Sequence, residues 1–411
     1  MPVRYEKVSA VAHESALPTR DRLMAPVPGR KIAPQPYAAL IALTIFCALN
    51  ALLWQFFAVE KHPVRGIGVD TARDNMWSGT GSVDVAVDEY AALPQRPTVV
   101  LLGSSLMMNT FWLMDRLVNP SLPDVFHYRG SFTLERQLAA SGLPEQRVFN
   151  LASAGQMISD SYIWANEFLQ GEKKPKVVIL GIAPRDFYDA DLPAIMATMT
   201  FKRLVGLENF DRYAPVFLPR WQDKVDFVAA HTCYFYGMRW RLQHETVRAM
   251  RQLCMASGLS PRQAKPPSLT DDTQLRQAGF LLEALDAQRW SNSLKEYRGR
   301  YHNIDKQDLS VQMGFLGKLL NLCHDRGIKV VLVNMPLSRE NRALMPAGFY
   351  QQFRARINSI VEQRTAVQYI DLGDANGFGR PDYWDTVHLN DQGGHKLIEQ
   401  LKAAVVAAAR S

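Results

Sequence analysis

Two stretches far apart in the chain carry the residue types that bond-making chemistry needs. The first is Thr98-Val-Val-Leu-Leu-Gly-Ser-Ser-Leu-Met107, an apolar run ending in a glycine and two serines. The second is Tyr383-Trp-Asp-Thr-Val-His-Leu-Asn390, with a carboxylate three residues before an imidazole. A hydroxyl on a strand-to-helix turn sits at the carboxyl edge of a sheet, where open α/β folds place their ligands. The free N–H groups of the helix start favour negative charge developing there. In a turn, Asp385 can hold one ring nitrogen of His388 and leave the other free as a base. Orienter, base and nucleophile are the parts of acyl transfer. Each also has a plainer reading: Ser104 or Ser105 as a helix cap, Asp385 as a turn residue, His388 as a hydrogen-bonded loop residue. His395, further on, reads as surface or packing.

Two other turns belong to the same edge. Asn150-Leu-Ala-Ser-Ala-Gly155 ends in a glycine whose N–H could donate to an oxyanion beside the N–H of Ser105, or which could serve backbone geometry alone. In Gly181-Ile-Ala-Pro-Arg-Asp186, Arg185 and Asp186 read either as a local charge cluster or as a ligand contact.

The elements that must position these groups follow from the apolar pattern. Short Val/Ile/Leu runs at 98–102, 147–152, 176–181, 329–335 and 367–372 lack strict alternation, as strands covered on both faces do. Helical patterns fall at about 105–118, 157–170, 311–326, 347–364 and 391–409, with Asn390 or Asp391 as a cap for the last. Alternation of this kind predicts an α/β, doubly wound parallel sheet, five-stranded and flavodoxin-like, with ligands at its carboxyl edge. Residues 187–310 break the rhythm and are too long for a loop in a compact domain. They read as a mostly helical insertion whose aromatics (Phe201, Tyr213, Phe217, Trp221, Tyr234, Phe235, Tyr236 and Trp240) form its own core, with sugar stacking or acyl lining as the alternative for a few of them.

Outside the sheet the chain divides by composition. Residues 1–36 hold six prolines and no sustained apolar period, and read as a disordered cytoplasmic tail. Residues 37–59 carry no charge, enough length at ~1.5 Å per residue to cross a ~30 Å hydrocarbon core. Tyr37 and Trp54 lie near the ends, as interfacial aromatics do. Six Lys/Arg precede this stretch and few follow it. The expectation is a single-pass signal anchor in the lipid bilayer, N-terminus cytoplasmic and the main domain extracytoplasmic, periplasmic or extracellular. Residues 60–97 read as a juxtamembrane connection, and 98–411 as the folded domain.

Net charge is +7, of which the first 36 residues supply +3. The remainder is mildly basic, without an arginine-rich helix or a basic-aromatic stripe, which argues against nucleic acid as a partner. Of the 4 cysteines none pair as CxxC and no zinc pattern exists. Cys233 with Cys254 could close one disulfide, or the thiols could be free and buried. The chemistry outlined above calls for no metal and no bound cofactor.

Taken together, the motifs resemble the SGNH (GDSL-like) hydrolases. The resemblance implies that Ser105 is the nucleophile after strand one, that Gly155 is the second block, and that Asp385 and His388 are orienter and base. It implies the same five-stranded parallel sheet. Two positions depart from the pattern: Ser104 stands where aspartate is usual, and the third block's Gly-x-Asn-Asp is Gly181-Ile182-Ala183-Pro184. The side-chain amide donor is therefore missing, and Arg185 is the residue that could substitute. The apolar segment, the Gly-Ser-Ser turn, Pro-Arg-Asp-Phe after strand three and Asp-x-Val-His-Leu resemble a membrane-anchored branch, similar to the D-alanyl-lipoteichoic-acid transfer and polysaccharide O-acetylation proteins. That branch implies a serine O-acyltransferase or esterase, with a cell-surface polysaccharide or acylated carrier as substrate and a multispan membrane acyltransferase as partner. The alternative is a non-catalytic polysaccharide-binding or scaffold subunit that has kept the fold.

Overall fold

The computed structural model of the chain describes residues 36–57, 80–123, 125–189, 195–237, 246, 250, 253, 287–302, 304, 306–362, 364–373 and 377–410. It divides into two units, residues 1–49 and 50–411. Helix α1 (Pro36–Phe57) begins in the first. Its apolar side chains are exposed, Leu40 at 62% and Ile41 at 58% among them. Among the described residues no helix is long and apolar enough to cross a membrane. The side chains of Trp54, Phe56 and Phe57 at the end of the apolar stretch lie outside the described set.

The second unit is built on five parallel strands: β1 (Val99–Leu102), β2 (Val148–Asn150), β3 (Val177–Ile182), β4 (Lys329–Asn334) and β5 (Val367–Asp371). Their order is β2-β1-β3-β4-β5, the flavodoxin-like order expected from the sequence. All four residues of β1 are fully buried, each side chain contributing ~1.5–3 kcal/mol by leaving water. β5 closes one edge and is half-buried rather than covered on both faces.

The order reverses at β1, which fixes the helices. Right-handed crossovers put α3 (Ser105–Val118) and α4 (Phe132–Ala140) on one face, where α14 (Asp391–Arg410) packs against both. They put α5 (Ile158–Phe168) and α11 (Lys306–Asp325) together on the other; the short α12 (Arg339–Arg342) follows β4, and α13 (Phe349–Val361) packs against β5. Helix α4 has no counterpart in the sequence reading. Its apolar face is narrow, and of its residues Leu134 and Leu138, one turn apart, are buried.

Residues 60–97 are more than a connection. Within them α2 (Thr80–Ala92) buries Val83, Val87 and Tyr90 at helical spacing. The Tyr90 ring meets Phe149 edge-on, and its hydroxyl donates to the Lys173 carbonyl at 2.7 Å. The folded unit therefore starts before residue 98.

The described parts of the insertion are helical: α6 (Met199–Leu204), α7 (Phe210–Phe217), α8 (Trp221–Thr232), α9 (Tyr234–Gly237) and α10 (Ala287–Arg300). Phe201, Tyr213, Phe217 and Tyr234 are buried as expected, whereas Trp221 is 69% exposed and Phe235 and Tyr236 also reach solvent. Trp240 lies outside the described residues. Cys233 is a free thiol, as is the buried Cys323; burial pushes the Cys323 thiol up to about 12. Cys254 lies outside the described residues.

Candidate active site

Gly103 is the pivot that aims the serines. Its φ of +135° lies where side chains are disfavoured, and a Cβ there would come within 2.6 Å of the Gly181 carbonyl oxygen. Past it, Ser104 is the residue before α3. Its carbonyl accepts from Met107 and Met108, and its side chain makes no cap. Ser104 is 1% exposed and faces inward, next to Asp186. Ser105 begins the helix, so its own N–H has no carbonyl four residues back to bond.

The loop after β5 carries the other half. Tyr383 and Leu389 form an isolated antiparallel bridge, and the Trp384 N–H donates to the His388 carbonyl at 3.1 Å, closing a tight loop around Asp385 and His388. The side-chain oxygen of Asn390 accepts from the Gly393 N–H, anchoring the start of α14. Asp385 Oδ1 accepts the N–H groups of Val387 and His388, both at 2.8 Å. Its Oδ2 lies 2.7 Å from His388 Nδ1. His388 Nε2 lies 2.9 Å from Ser105 Oγ. Burial works against the Asp385 carboxylate, but His388 and the two N–H groups outweigh it and hold its pKa below the usual carboxylate value. A charged Asp385 at Nδ1 fixes the tautomer that leaves Nε2 a base toward Ser105.

The structure thus brings Ser105, His388 and Asp385 together, and it chooses between the serines. Gly155 also sits at this edge with φ +77°. A Cβ there would lie 3.6 Å from Arg185 Nη2, so the guanidinium stands directly over the glycine. Arg185 is held rather than free: Nη2 bonds Asp189 Oδ2 at 2.9 Å, and Nη1 lies 3.7 Å from Asp186 Oδ1. The third-block turn offers little else. The Ala183 N–H is spent on Asp186 Oδ2 at 2.8 Å, and Pro184 has no N–H. His395 is exposed and takes no part.

Several site residues escaped the sequence reading. The Trp384 ring stacks on His388, 5.3 Å between centroids and 28° between planes, with the Arg289 guanidinium 5.0 Å from the indole. Its position next to Asp385 in the Tyr-Trp-Asp motif was the available signal. Arg300 of α10 also pairs with Asp189, and Ser293 Oγ lies 2.5 Å from Thr386 Oγ1. These contacts cross about a hundred residues and leave no local trace in the sequence. A separate cavity of about 340 Å³, lined by Tyr162, Tyr213, Phe217 and Phe315 among others, contains none of the triad residues.

No family model matches the chain, and no curated protein matches it either. Solved structures do. A GDSL-like lipase from Bacteroides thetaiotaomicron is 11% identical, covering 80% of this chain and 99% of its own, with a TM-score of 0.37. An acetylxylan esterase from Geobacillus stearothermophilus is 13% identical over 77% of this chain and 94% of its own, with a TM-score of 0.32. An α/β hydrolase enzyme from the metagenome of Lake Arreo, Spain, is 13% identical over 78% and 99%, with a TM-score of 0.34. Likeness at this level carries no argument about activity. The functional reading rests on the geometry.

Proposed function

We propose that the protein is a serine esterase or O-acyltransferase that works through an acyl-enzyme on Ser105. The observation that carries this reading is the unbroken relay from Asp385 Oδ2 to His388 Nδ1 at 2.7 Å and from His388 Nε2 to Ser105 Oγ at 2.9 Å. Ser105 Oγ attacks the acyl carbonyl while His388 Nε2 takes its proton. The tetrahedral oxyanion falls to the N–H groups of Ser105 and Gly155, with the Arg185 guanidinium beside the glycine. His388 returns the proton to the leaving group as the intermediate collapses to the Ser105 ester. An incoming hydroxyl, deprotonated by the same imidazole, then takes the acyl group.

The finer reading is acyl transfer to a cell-surface or exported polysaccharide by a chain anchored through residues 37–59, with the main domain extracytoplasmic. Its support is the charge-free apolar stretch, the excess of Lys/Arg before it, and the resemblance of the motifs to the polysaccharide O-acetylation branch. A multispan membrane acyltransferase would present the acyl group.

A serine-directed fluorophosphonate tests the reading. The full chain should be labelled at Ser105, and Ser105→Ala should not be. An unlabelled wild-type chain would sink the enzyme and favour the scaffold alternative, which the missing third-block asparagine also favours.

A further inference from the structure

Helix α10 reaches the site from the insertion by three residues on one face. Ser293 is fixed to Thr386, inside the catalytic loop, at 2.5 Å. Arg300, seven residues on, is fixed to Asp189, the residue that also holds Arg185. Tyr297 lies four residues after Ser293 and three before Arg300, on the same stripe. One anchor is next to Asp385 and the other is beneath the guanidinium over Gly155, so Tyr297 stands between the base side and the oxyanion side of the site. Its ring is packed and 8% exposed, edging Tyr301 at 5.7 Å and Arg300 at 5.8 Å. Among the described residues its hydroxyl makes no hydrogen bond, unlike that of Tyr301, which donates to Asn341. A phenol brought this far into a polar site is normally satisfied.

We propose that the Tyr297 hydroxyl is a catalytic hydrogen-bond donor to the oxyanion formed on the substrate's acyl carbon, supplied by the insertion in place of the missing asparagine. This rests on the acyl-enzyme reading. Burial raises the Tyr297 phenol above its ordinary value, with Asp385 acting in the same direction and Arg185 against it, so the proton to be donated stays on the oxygen at physiological pH. The donor costs no reorganisation when charge develops, because the ring is locked between two anchored neighbours. It also gives the insertion a task in the chemistry: without α10 the oxyanion has two backbone N–H groups and the guanidinium over Gly155.

The experiment is the rate of fluorophosphonate labelling and of turnover for the full chain and for Tyr297→Phe. The phenyl ring keeps the packing and removes one O–H. The expected result is a kcat and a labelling rate lowered by ~10²-fold with KM unchanged and the melting temperature close to wild type. Wild-type labelling with an equal rate in Tyr297→Phe would overturn this proposal alone; no labelling of the wild type would overturn the acyl-enzyme reading as well. Should Tyr297→Phe be unstable, trifluorotyrosine at 297 keeps the ring and acidifies the phenol. The alkaline limb of the labelling rate must then move to lower pH, and an unmoved limb overturns the proposal.

Discussion

Ser104 and Ser105 are neighbours in the chain and belong to different systems. Ser105 Oγ is 2.9 Å from His388 Nε2, whereas Ser104 is buried beside the Asp186 carboxylate. The division predicts opposite consequences for two alanine substitutions one residue apart. Ser105→Ala and His388→Ala should each abolish turnover while leaving the melting temperature within a few degrees, since neither side chain is part of the core. Because the triad acts as a unit, the double variant should be scarcely slower than the worse single variant. Ser104→Ala should keep kcat within several-fold and act on stability instead. Measured kcat for the four proteins decides this, and a Ser104→Ala that loses all activity with Ser105→Ala mild would reverse the assignment.

Asp385→Asn probes the tautomer. The amide can still accept the Val387 and His388 N–H groups through one oxygen, so the loop should persist. Turned toward His388, however, the amide nitrogen would donate to Nδ1 and favour the proton on Nε2, the wrong side for a base. The expected loss in kcat is up to ~10⁴-fold, with circular dichroism and melting close to wild type. Full activity in a folded Asp385→Asn would remove Asp385 from the mechanism.

Much of this arrangement was legible because it is local. β1 is a short apolar run without alternation, and the structure buries it on both faces; α3 starts at Ser105 as the pattern predicts. Asp385 and His388 meet within one loop, so their three-residue spacing already encoded their contact. Which serine faces His388 depends on the positive φ at Gly103, which residue types alone do not settle. Helix α2 was masked by the glycine and aspartate around it, although Val83, Val87 and Tyr90 carry the helical spacing. Tyr297 and Arg300 were out of reach, because they arrive through an insertion whose path back to the sheet is set by tertiary packing.

Two buried carboxylates predict an unusual pH profile of stability. Burial pushes Asp160 up to about 7, with the Met157 N–H, the Thr198 hydroxyl and Arg185 acting against it. Burial likewise pushes Asp186 up to about 6, opposed chiefly by Arg185. In the unfolded chain both release their protons near pH ~4. Between pH ~4 and about 7 these two carboxylates therefore hold more protons in the folded state than in the unfolded one, and their contribution to stability falls as pH rises, opposed near pH ~6.5 by His231, whose pKa burial lowers. The lowered Asp385 pKa works the other way, and its stabilisation is lost only as pH falls below that interval. Melting temperatures taken from pH 4.5 to 8 should decline and level off above about 7. Asp160→Asn should flatten the upper part and leave a slope that ends near 6, the Asp186 value. A wild-type melting temperature that climbs through this interval would contradict the two assignments.

Arg185 is positioned through Asp189, and Asp189 is shared with Arg300. Arg185→Ala should lower kcat by ~10²–10³-fold, the scale of one lost oxyanion donor. Lysine at 185 should restore little, since a single ammonium cannot bond Asp189 and still reach over Gly155 as a planar fork does. Arg300→Ala should cost less, and in the Arg185→Ala background it should cost less still, because part of its effect runs through the shared Asp189 and only the seating of Tyr297 remains. Steady-state kinetics of this cycle distinguish the relay from two independent surface charges, which would give additive losses.

The missing amide also shapes what the enzyme needs around it. With Ala183 spent on Asp186 and Pro184 without an N–H, the third-block turn gives the oxyanion no direct backbone or amide donor. A small activated ester brings neither a charged group for Arg185 nor any binding energy remote from the reacting carbon. The intact protein in detergent should therefore be slow on such an ester in water. On the anchored acyltransferase reading proposed above, a membrane partner that presents the acyl group would add positioning, which can contribute several kcal/mol, on the scale of ~7–11 kcal/mol for well-oriented reactants. That exceeds the ~2.7–4 kcal/mol scale of any single oxyanion donor, the Tyr297 hydroxyl included. Transfer to a polysaccharide hydroxyl in the membrane should then outrun hydrolysis of the small ester in detergent by several orders of magnitude. The comparison uses one preparation of the full chain, assayed by acetyl release in detergent and by acetyl incorporation into polymer after return to native membranes. Fast hydrolysis in detergent, unchanged by Arg185→Ala, would mean that neither the guanidinium nor a membrane partner is needed to complete the site.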